Sequence, residues 1–380
     1  MDGSCPACGA RAGEVFFERE GVLATTNVLY ARREDALAAP RGTLRMVQCA
    51  RCSHVFNSAF AAERASYDAG YENALHFSPT FDRHQRRLAE ALIQRHELRG
   101  KRLIEIGCGD GSFLRALCEA GDNVGVGVDR LAPDATADAR VRFVRANDLD
   151  AVGDVDFDFV CSRHTLEHVV SPRSFLRAWR RWAARHAAGV YVEVPNGAVP
   201  FCDDSVWDLI HEHVSYFTPQ SLAHACASGG IAVDAIEETF GGQHLSVHGR
   251  LASGEVTAIE CANPPDLERR LSEFAERFSA RLAAARDLLE SGSPRTVLWG
   301  AGSKGITLLD ATAGAGVVAA VDVNPRKHGR WIGGVGVPVV APGALRAMRP
   351  DRVVVVNELY VAEIRAALRE LSVEADVVVA

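Results

Sequence analysis

Four of the ten cysteines stand in two pairs, and two residues separate the members of each pair. A spacing of two residues allows a tight turn to direct both thiolates at one metal ion, and two such turns complete a tetrahedral site. The pattern predicts a closed, structural Zn²⁺ site whose ligands are Cys5, Cys8, Cys49 and Cys52. His54 is expected to be a neighbour of this site because four thiolates already complete it. The alternative is four unliganded cysteines.

A glycine-rich turn, Gly107 to Gly111, follows a strand-like apolar run and precedes a helical pattern that begins near Phe113. Glycines at alternate positions let the backbone pass close under a ligand that a Cβ would push away. Glu105 lies inside the strand, and the turn lacks the Gly-Lys-Ser/Thr ending of a P-loop. Asp129 ends the next strand, where a carboxylate can accept hydrogen bonds from both hydroxyls of a ribose. The arrangement predicts a nucleoside-type cofactor.

Two histidine-bearing segments follow two later strands, and both are expected at the carboxyl edge of the sheet, where ligands bind. The first contains His164 and His168, and the second contains His211, Glu212 and His213. An imidazole titrates near neutral pH and is a natural proton acceptor, which a neighbouring carboxylate can orient. The His-Glu-His spacing does not place both rings on one helical face, so a second metal is not predicted. The alternative for any single histidine is a buried or capping role.

The composition indicates a folded protein that needs more than one domain. The chain has 380 residues, of which 48 % are hydrophobic and 24 % charged. A net charge of −7 argues against broad nucleic-acid binding, which needs a basic face. Neither a signal-peptide pattern nor an apolar run of the roughly 20 residues that cross a bilayer is present, so a cytoplasmic location without membrane contact is expected. The remaining six cysteines are expected in the core.

Strand-like and helical stretches alternate through most of the chain, which predicts an α/β fold with parallel sheets. We divide the chain into a zinc-ribbon-like domain at 1–81, a Rossmann-like domain at 82–242 and a second Rossmann-like α/β domain at 243–380. Strands are predicted at 102–106, 124–128, 157–161, 189–194, 245–247, 296–299, 317–321 and 352–356. A long amphipathic helix is predicted from Leu267 to Leu289, with a face that also includes Leu271, Phe274, Phe278 and Leu282.

The turn after the first strand of the middle domain resembles the first motif of class I S-adenosylmethionine-dependent methyltransferases, E-x-G-C-G-x-G. In that family an acidic residue ends the second strand and a loop after the third strand contacts adenine; 146–148 is the matching stretch here. The resemblance implies that S-adenosylmethionine contacts Glu105, Gly107, Cys108, Gly109, Gly111, Asp129, Asn147, Asp148 and His164. An NAD site remains an alternative, although the third glycine follows the second by two residues rather than three.

The order of motifs along nearly the whole chain resembles the sugar C-methyltransferases of deoxysugar biosynthesis. Those enzymes methylate a nucleotide-linked 4-keto sugar at the carbon beside the carbonyl. The resemblance implies that His213 is the general base, with Glu212, His168 and Tyr71 as further active-site residues. The sequence departs from the family at Ile210, where the family motif has a tyrosine, so one donor to the substrate is missing.

A second glycine-rich turn, Gly300 to Gly305, opens a helix in the last domain. By resemblance this domain closes over the substrate, and Lys304 is a candidate contact for a phosphate. The alternative is a degenerate nucleotide-binding fold kept for packing. Three functional alternatives to C-methylation remain: an O- or N-methyltransferase, an NAD-dependent oxidoreductase, and a zinc-ribbon binding module with an inactive methyltransferase fold.

Overall fold

The structure is a computed structural model that describes residues 4–64, 70–134, 138–146, 150–153, 155–182, 188–291 and 295–380. Its fold is mixed α/β, as the alternation of apolar runs predicts. Within these residues, none of the helices combines the length and the apolar character that crossing a membrane requires.

The N-terminal part is a small antiparallel sheet between the two cysteine turns. Its elements are β1 (Val15–Leu23), β2 (Leu29–Tyr30), α1 (Arg33–Leu37), β3 (Arg41–Gln48) and β4 (Val55–Asn57). Alternate residues of β3, including Leu44 and Met46, are buried, as expected for a strand with one face on a core. The sheet has the order β1-β3-β4, and its fourth strand comes from much later in the chain.

The middle part contains a seven-stranded sheet with helices on its faces. Its elements are α2 (Pro79–Arg95), β5 (Arg102–Ile106), α3 (Ser112–Gly121), β6 (Val124–Asp129), β7 (Val141–Arg145), β8 (Phe159–Arg163), α4 (Pro172–Ala178), β9 (Gly189–Pro195), α5 (Val199–Cys202), β10 (Ser215–Tyr216), α6 (Pro219–Gly229), β11 (Ile231–Thr239) and β12 (His244–Leu251). The sheet has the order β11-β12-β9-β8-β5-β6-β7. Its five strands from β9 to β7 are parallel, and β12 is antiparallel to both of its neighbours.

Two strands lie elsewhere than the linear division of the chain predicts. The strand predicted at 245–247 as the start of the last domain is part of β12, which lies between β11 and β9 in the seven-stranded sheet. A boundary at 243 separates β12 from its own sheet, because β12 pairs with β11 on one side and with β9 on the other. The short β10 pairs instead with β4 and becomes the fourth strand of the N-terminal sheet.

The last part is a parallel sheet preceded by two helices. Its elements are α7 (Leu267–Ser272), α8 (Phe274–Glu290), β13 (Thr296–Trp299), α9 (Ser303–Ala311), β14 (Val317–Val321), β15 (Trp331–Ile332), β16 (Val339–Val340), α10 (Leu345–Met348), β17 (Arg352–Val355), α11 (Val361–Glu370) and β18 (Asp376–Val379). The sheet order is β16-β14-β13-β17-β18, and β15 pairs with β2. The predicted single helix is divided at Glu273, and its apolar face is buried except at Leu282, which is half-buried.

Short 3₁₀ helices connect these elements at Ala62–Arg64, Asp150–Val152, Leu166–His168, Trp179–Trp182, Val206–Asp208, Pro325–Lys327, Pro342–Ala344 and Glu358–Tyr360. One apolar core includes side chains from all three parts of the chain, among them Met46, Trp207 and Leu309. Since burial of apolar area is the main stabilising contribution to folding, this shared core fixes the three parts against one another.

Candidate active site

The turn after β5 presents bare backbone to a large cavity. Its three glycines have left-handed backbone angles, with φ of 75° at Gly107, 53° at Gly109 and 75° at Gly111. A Cβ at Gly107 would collide with the Thr165 hydroxyl, and one at Gly111 would collide with the Phe143 ring. A Cβ at Gly109 would meet no described atom within 4 Å. The turn therefore leaves open space above Gly109 for a ligand.

Two carboxyl groups flank this turn. Asp129, the last residue of β6, accepts hydrogen bonds from the backbone N–H groups of Gly109 at 3.0 Å and Leu131 at 2.7 Å. Glu105 is 2 % exposed, and its Oε2 has no hydrogen-bond partner among the described residues. Burial raises the pKa of Glu105 to about 8. A buried polar atom without a partner in a cavity wall is a place where a ligand supplies the missing hydrogen bond.

These features fit S-adenosylmethionine. The bare turn leaves room for the adenosine, and the unpartnered oxygen of Glu105 suits the ammonium group of the methionine portion. Asp129 is placed at the strand end where a ribose is bound in open α/β sheets. Cys108 and Ala146 also line the cavity. Asn147 and Asp148, the predicted adenine contacts, lie outside the described residues.

His164 follows β8 and lines the same cavity. Its φ of 49° is a left-handed angle that is uncommon outside glycine and often marks functional sites. The Nε2 atom of His164 lies 3.1 Å from Oε1 of Glu193. The same carboxylate receives Nε of Arg163 at 2.9 Å and the Tyr191 hydroxyl at 2.7 Å. His164 is therefore fixed by a buried charge network that the sequence analysis did not single out.

Two imidazoles, those of His168 and His213, are adjacent at the cavity wall. Their ring centroids are 4.8 Å apart, and Nδ1 of His168 donates to the backbone carbonyl of Glu212 at 3.0 Å. Burial lowers the pKa of His168 to about 4 and the pKa of His213 well below its usual value. Both rings are therefore neutral near pH 7, and a neutral imidazole can accept a proton.

Glu212 lies behind this wall and is not among the residues that line the cavity. Its side chain is fully buried, and Oε1 accepts hydrogen bonds from the backbone N–H and the hydroxyl of Thr26, both at 2.8 Å. The neighbouring His211 likewise points into the N-terminal part, where its Nδ1 donates to the carbonyl of Ala24 at 3.0 Å. His213 therefore lines the cavity, whereas Glu212 binds its segment to the N-terminal part. Sequence spacing does not distinguish these two orientations.

The cavity has a volume of about 920 Å³, large enough for a cofactor together with a second ligand. Tyr71 and Ile210 line it, and burial raises the pKa of the Tyr71 hydroxyl, which therefore stays protonated. Glu167, which lies between the two predicted histidines His164 and His168, also lines the cavity and has no predicted role. The sequence feature that could have indicated a role for Glu167 is its position three residues after His164, directly after a strand.

The turn Gly300 to Gly305 also lines this cavity. Lys304 forms an ion pair with Asp208 at 2.8 Å and donates to the side-chain oxygen of Gln243 at 3.1 Å. Asn357 and Tyr360 line the same space. The last part of the chain therefore contributes a polar wall to the cavity that contains the cofactor turn.

Asp322 directly follows β14, at the position where a dinucleotide-binding fold holds a ribose. Its carboxylate already accepts the backbone N–H of Ala301 at 2.9 Å and lies 3.3 Å from the buried ammonium of Lys327. These two contacts hold the Asp322 carboxylate in place beside the second glycine turn.

The four paired cysteines converge. Their sulfur atoms all lie within 4.8 Å of one another, with 3.7 Å between Cys5 and Cys52 and 3.6 Å between Cys8 and Cys49. Four sulfurs at about 2.3 Å from a tetrahedral zinc ion are about 3.8 Å apart, so the cluster fits Zn²⁺. The Nε2 atom of His54 contacts the Ser215 hydroxyl at 3.2 Å and lies outside the cluster. Of the other six cysteines, four are buried and Cys202 and Cys261 are half-buried.

Two family models match the chain. Residues 81–236 match the family described as "Methyltransferase domain", and residues 257–379 match the "C-methyltransferase C-terminal domain". The first match covers the cofactor turn and most of the seven-stranded sheet, and the second covers the polar wall around Lys304.

Curated methyltransferases are similar to part of the chain. The ubiquinone biosynthesis O-methyltransferase of Neisseria meningitidis serogroup C (strain 053442) is 29 % identical over 157 residues, covering 36 % of this chain and 66 % of the relative, just under two thirds of its length. The trans-aconitate 2-methyltransferase of Mycobacterium sp. (strain KMS) is 27 % identical over 215 residues, covering 49 % of this chain and 78 % of the relative.

Solved methyltransferase structures show a partial likeness. An S-adenosylmethionine-dependent methyltransferase from Mesorhizobium loti aligns with a TM-score of 0.35 at 19 % identity, covering 43 % of this chain and 97 % of that one. The 1,6-didemethyltoxoflavin-N1-methyltransferase of Burkholderia thailandensis aligns with a TM-score of 0.37 at 20 % identity, covering 46 % and 80 % respectively. These likenesses add no argument about the site.

The class of protein follows from three observations: the strand order, the glycine turn with its two carboxyl groups, and the family matches. The chain carries a class I S-adenosylmethionine-dependent methyltransferase domain. Its last part matches the C-terminal domain of C-methyltransferases.

Proposed function

We propose that the protein transfers a methyl group from S-adenosylmethionine to the carbon beside the carbonyl of a nucleotide-linked keto sugar. The observation that carries the proposal is the neutral ring of His213, which lines the same cavity as the cofactor turn after β5. Forming a carbon nucleophile requires removal of a C–H proton, and a neutral imidazole is suited to that step. The match of residues 257–379 to C-methyltransferases supports carbon as the acceptor atom.

The bound cofactor supplies an electrophilic methyl group on a sulfonium. The ring of His213 takes the proton from the carbon beside the carbonyl, and the electron pair moves onto the carbonyl oxygen. The Tyr71 hydroxyl is a hydrogen-bond donor for that oxygen. Nδ1 of His168 carries the hydrogen that is donated to the backbone carbonyl of Glu212, so Nε2 of the neutral ring is an acceptor. His168 therefore orients a hydroxyl or another donor.

The polar wall of the last part supports a nucleotide-linked acceptor. The N-terminus of α9 and the ammonium of Lys304 both line the cavity, and both favour a negatively charged group. Lys304 is held by Asp208 and Gln243, so its ammonium is positioned before a ligand binds. We assign it to the phosphates of the substrate. We also assign a structural Zn²⁺ to the four-cysteine cluster, which leaves no open position for chemistry.

The test compares His213→Ala with wild type and with His224→Ala, a control on α6 whose ring does not line the cavity. Two rates are measured with a panel of nucleoside-diphosphate-linked 4-keto-6-deoxyhexoses: methyl transfer, and exchange of the substrate C–H in deuterated water. We expect His213→Ala to lower both by about 10²- to 10⁴-fold while S-adenosylhomocysteine affinity stays within a factor of three. Full retention of both rates would remove His213 from the role of base.

An O-methyltransferase is the second candidate, favoured by the similarity to the ubiquinone biosynthesis O-methyltransferase. Such an enzyme needs a base beside a hydroxyl and does not exchange a C–H proton. Methyl transfer without any C–H exchange, with the new methyl on oxygen by NMR of the product, would establish that alternative.

A further inference from the structure

Glu167 is a buried acid that the proposed mechanism does not yet use. It lies in the 3₁₀ turn Leu166–His168 after β8, is 2 % exposed and lines the cavity. Its Oε2 atom has no hydrogen-bond partner among the described residues. A buried carboxyl oxygen without a partner lowers the free energy of unfolding. At a cavity wall, such an oxygen points to a ligand that completes its hydrogen bonding.

The groups around Glu167 are imidazoles and a phenol. A carboxyl oxygen of Glu167, a ring nitrogen of His168 and a ring nitrogen of His213 all lie within 4.8 Å of one another. Nδ1 of His164 is 3.8 Å from Oε1, and the Tyr71 hydroxyl interacts electrostatically with the same carboxyl. Among the described residues no lysine or arginine forms an ion pair with it, and the nearby charge of Glu193 opposes its ionisation.

This environment keeps a proton on Glu167. Burial raises its pKa to about 8, while burial lowers the pKa values of His168 and His213. Near pH 7 the cluster therefore contains a neutral carboxylic acid beside two neutral imidazoles. A neutral acid next to a neutral base is the combination that enolisation of a ketone requires.

We propose that Glu167 is a further catalytic residue, the general acid that gives its proton to the carbonyl oxygen of the substrate while His213 removes the proton from the adjacent carbon. The proposal rests on the proposed function and extends it, because it supplies the second half of the enolisation. It assigns to Glu167 the oxygen-side role that His168 cannot fill, since the Nε2 of that ring is an acceptor.

The protons and electrons balance as follows. The C–H bond breaks, an N–H bond forms on His213, the carbonyl π electrons move to oxygen, and the O–H bond of Glu167 breaks as the enol O–H forms. The two charges produced, an imidazolium and a carboxylate, arise next to each other, so no net charge develops in the buried site. When the carbon–methyl bond forms and the methyl–sulfur bond breaks, which leaves a neutral thioether, the carbonyl returns and its oxygen gives the proton back to Glu167. The imidazolium then releases its proton to solvent.

The test measures C–H exchange in deuterated water with S-adenosylhomocysteine bound, using the same panel of nucleoside-diphosphate-linked 4-keto sugars. Glu167→Gln keeps the shape and a hydrogen-bond donor but has no proton to give. We expect it to lower the exchange rate by about 10²-fold. Glu167→Asp keeps the acid and should recover part of the rate. Glu90→Gln, at an exposed position on α2, is the matched control and should match wild type.

The pH profile separates a catalytic acid from a structural residue. Wild-type exchange should fall as pH rises through about 8, because the carboxyl then loses the proton that it must donate. This alkaline decline should be absent in Glu167→Gln and present in Glu167→Asp. S-adenosylhomocysteine affinity and melting temperature, measured for each variant, report whether the fold is intact.

The outcomes are distinguishable. Exchange in Glu167→Gln within threefold of wild type, or an unchanged alkaline decline, would overturn the role of Glu167 and leave the proposed function standing. Loss of exchange in Glu167→Gln that comes with lost S-adenosylhomocysteine affinity, and without recovery in Glu167→Asp, would make the residue structural and also overturn the inference. Absence of exchange in wild type with every sugar would overturn the proposed function itself.

Discussion

Three buried glutamates in or beside the cavity differ in protonation because they differ in partners. Burial by itself raises a carboxyl pKa in all three, and at Glu105 and Glu167 it prevails. At Glu193 the guanidinium of Arg163 and the ring of His164 outweigh burial and hold the pKa well below its usual range. Glu193 is therefore held as a carboxylate before any ligand binds, whereas the two acids that line the cavity still have an unpartnered oxygen.

The protonation of Glu105 predicts a pH-dependent cofactor affinity. A bound ammonium group favours the ionised carboxylate, so binding near pH 7 should release about one proton, and affinity should rise with pH up to about 8 and level off above it. Glu105→Gln should weaken S-adenosylmethionine binding about ten- to hundredfold and abolish the release. Calorimetry in buffers of different ionisation enthalpy measures both quantities.

The control for this prediction is Glu119→Gln, at an exposed position on α3. It should bind S-adenosylmethionine with wild-type affinity and the same proton release. Proton release that persists in Glu105→Gln would place the titrating group elsewhere.

At the scale of single elements, the turn between β5 and α3 gives a direct test of where the cofactor lies. Gly109 and Gly100 both have positive φ, and at both positions an added Cβ would meet no described atom within 4 Å. The strain of a left-handed alanine, about 1–2 kcal/mol, is therefore common to both substitutions. They differ in that only Gly109 lines the cavity.

We expect Gly109→Ala to weaken S-adenosylmethionine binding at least about tenfold more than Gly100→Ala, a difference of about 1.4 kcal/mol. The two variants should have similar melting temperatures without ligand. Calorimetric affinities and thermal unfolding measure the two effects separately. Equal affinities would show that the methyl group at position 109 does not meet the cofactor.

The segment that contains His213 shows how one short stretch serves two parts of the chain. Glu212 and His211 bind residues Thr26 and Ala24 of the N-terminal part, while the next side chain, His213, lines the cavity. A few residues later β10 pairs with β4. The position of the proposed base is therefore determined by contacts with the N-terminal part and not only by the seven-stranded sheet.

At the scale of the whole molecule, these contacts predict that loss of the proposed zinc ion also lowers the activity of the active site. Cys49→Ser should abolish stoichiometric zinc in the purified protein and lower the melting temperature by more than about 10 °C, because zinc–thiolate binding contributes directly to folding. It should also slow substrate C–H exchange, since β4 supports the segment of His213. Elemental analysis, thermal unfolding and the exchange assay provide the three readouts.

Cys261→Ser is the matched control, because Cys261 is half-buried and lies outside the four-cysteine cluster. It should keep its zinc, its melting temperature and its exchange rate. Retention of the wild-type melting temperature and exchange rate in zinc-free Cys49→Ser would contradict the proposed coupling.

Much of this protein follows from short-range sequence patterns. The cysteine spacing, the glycine turn with Glu105 and Asp129, and the alternation of strands and helices are local features, and each predicts an element whose geometry depends on a few neighbouring residues. The methyltransferase class is determined at this level and agrees with the family match of residues 81–236.

Only the tertiary structure decides which side chains reach the cavity. Adjacent residues such as Glu212 and His213 point to different surroundings, and which of them faces the cavity depends on contacts with residues almost two hundred positions earlier. The partners of Glu193, and the lack of a described hydrogen-bond partner for Oε2 of Glu167, likewise depend on packing between distant elements. Side-chain protonation follows from burial and from such partners, and neither is encoded in spacing along the chain.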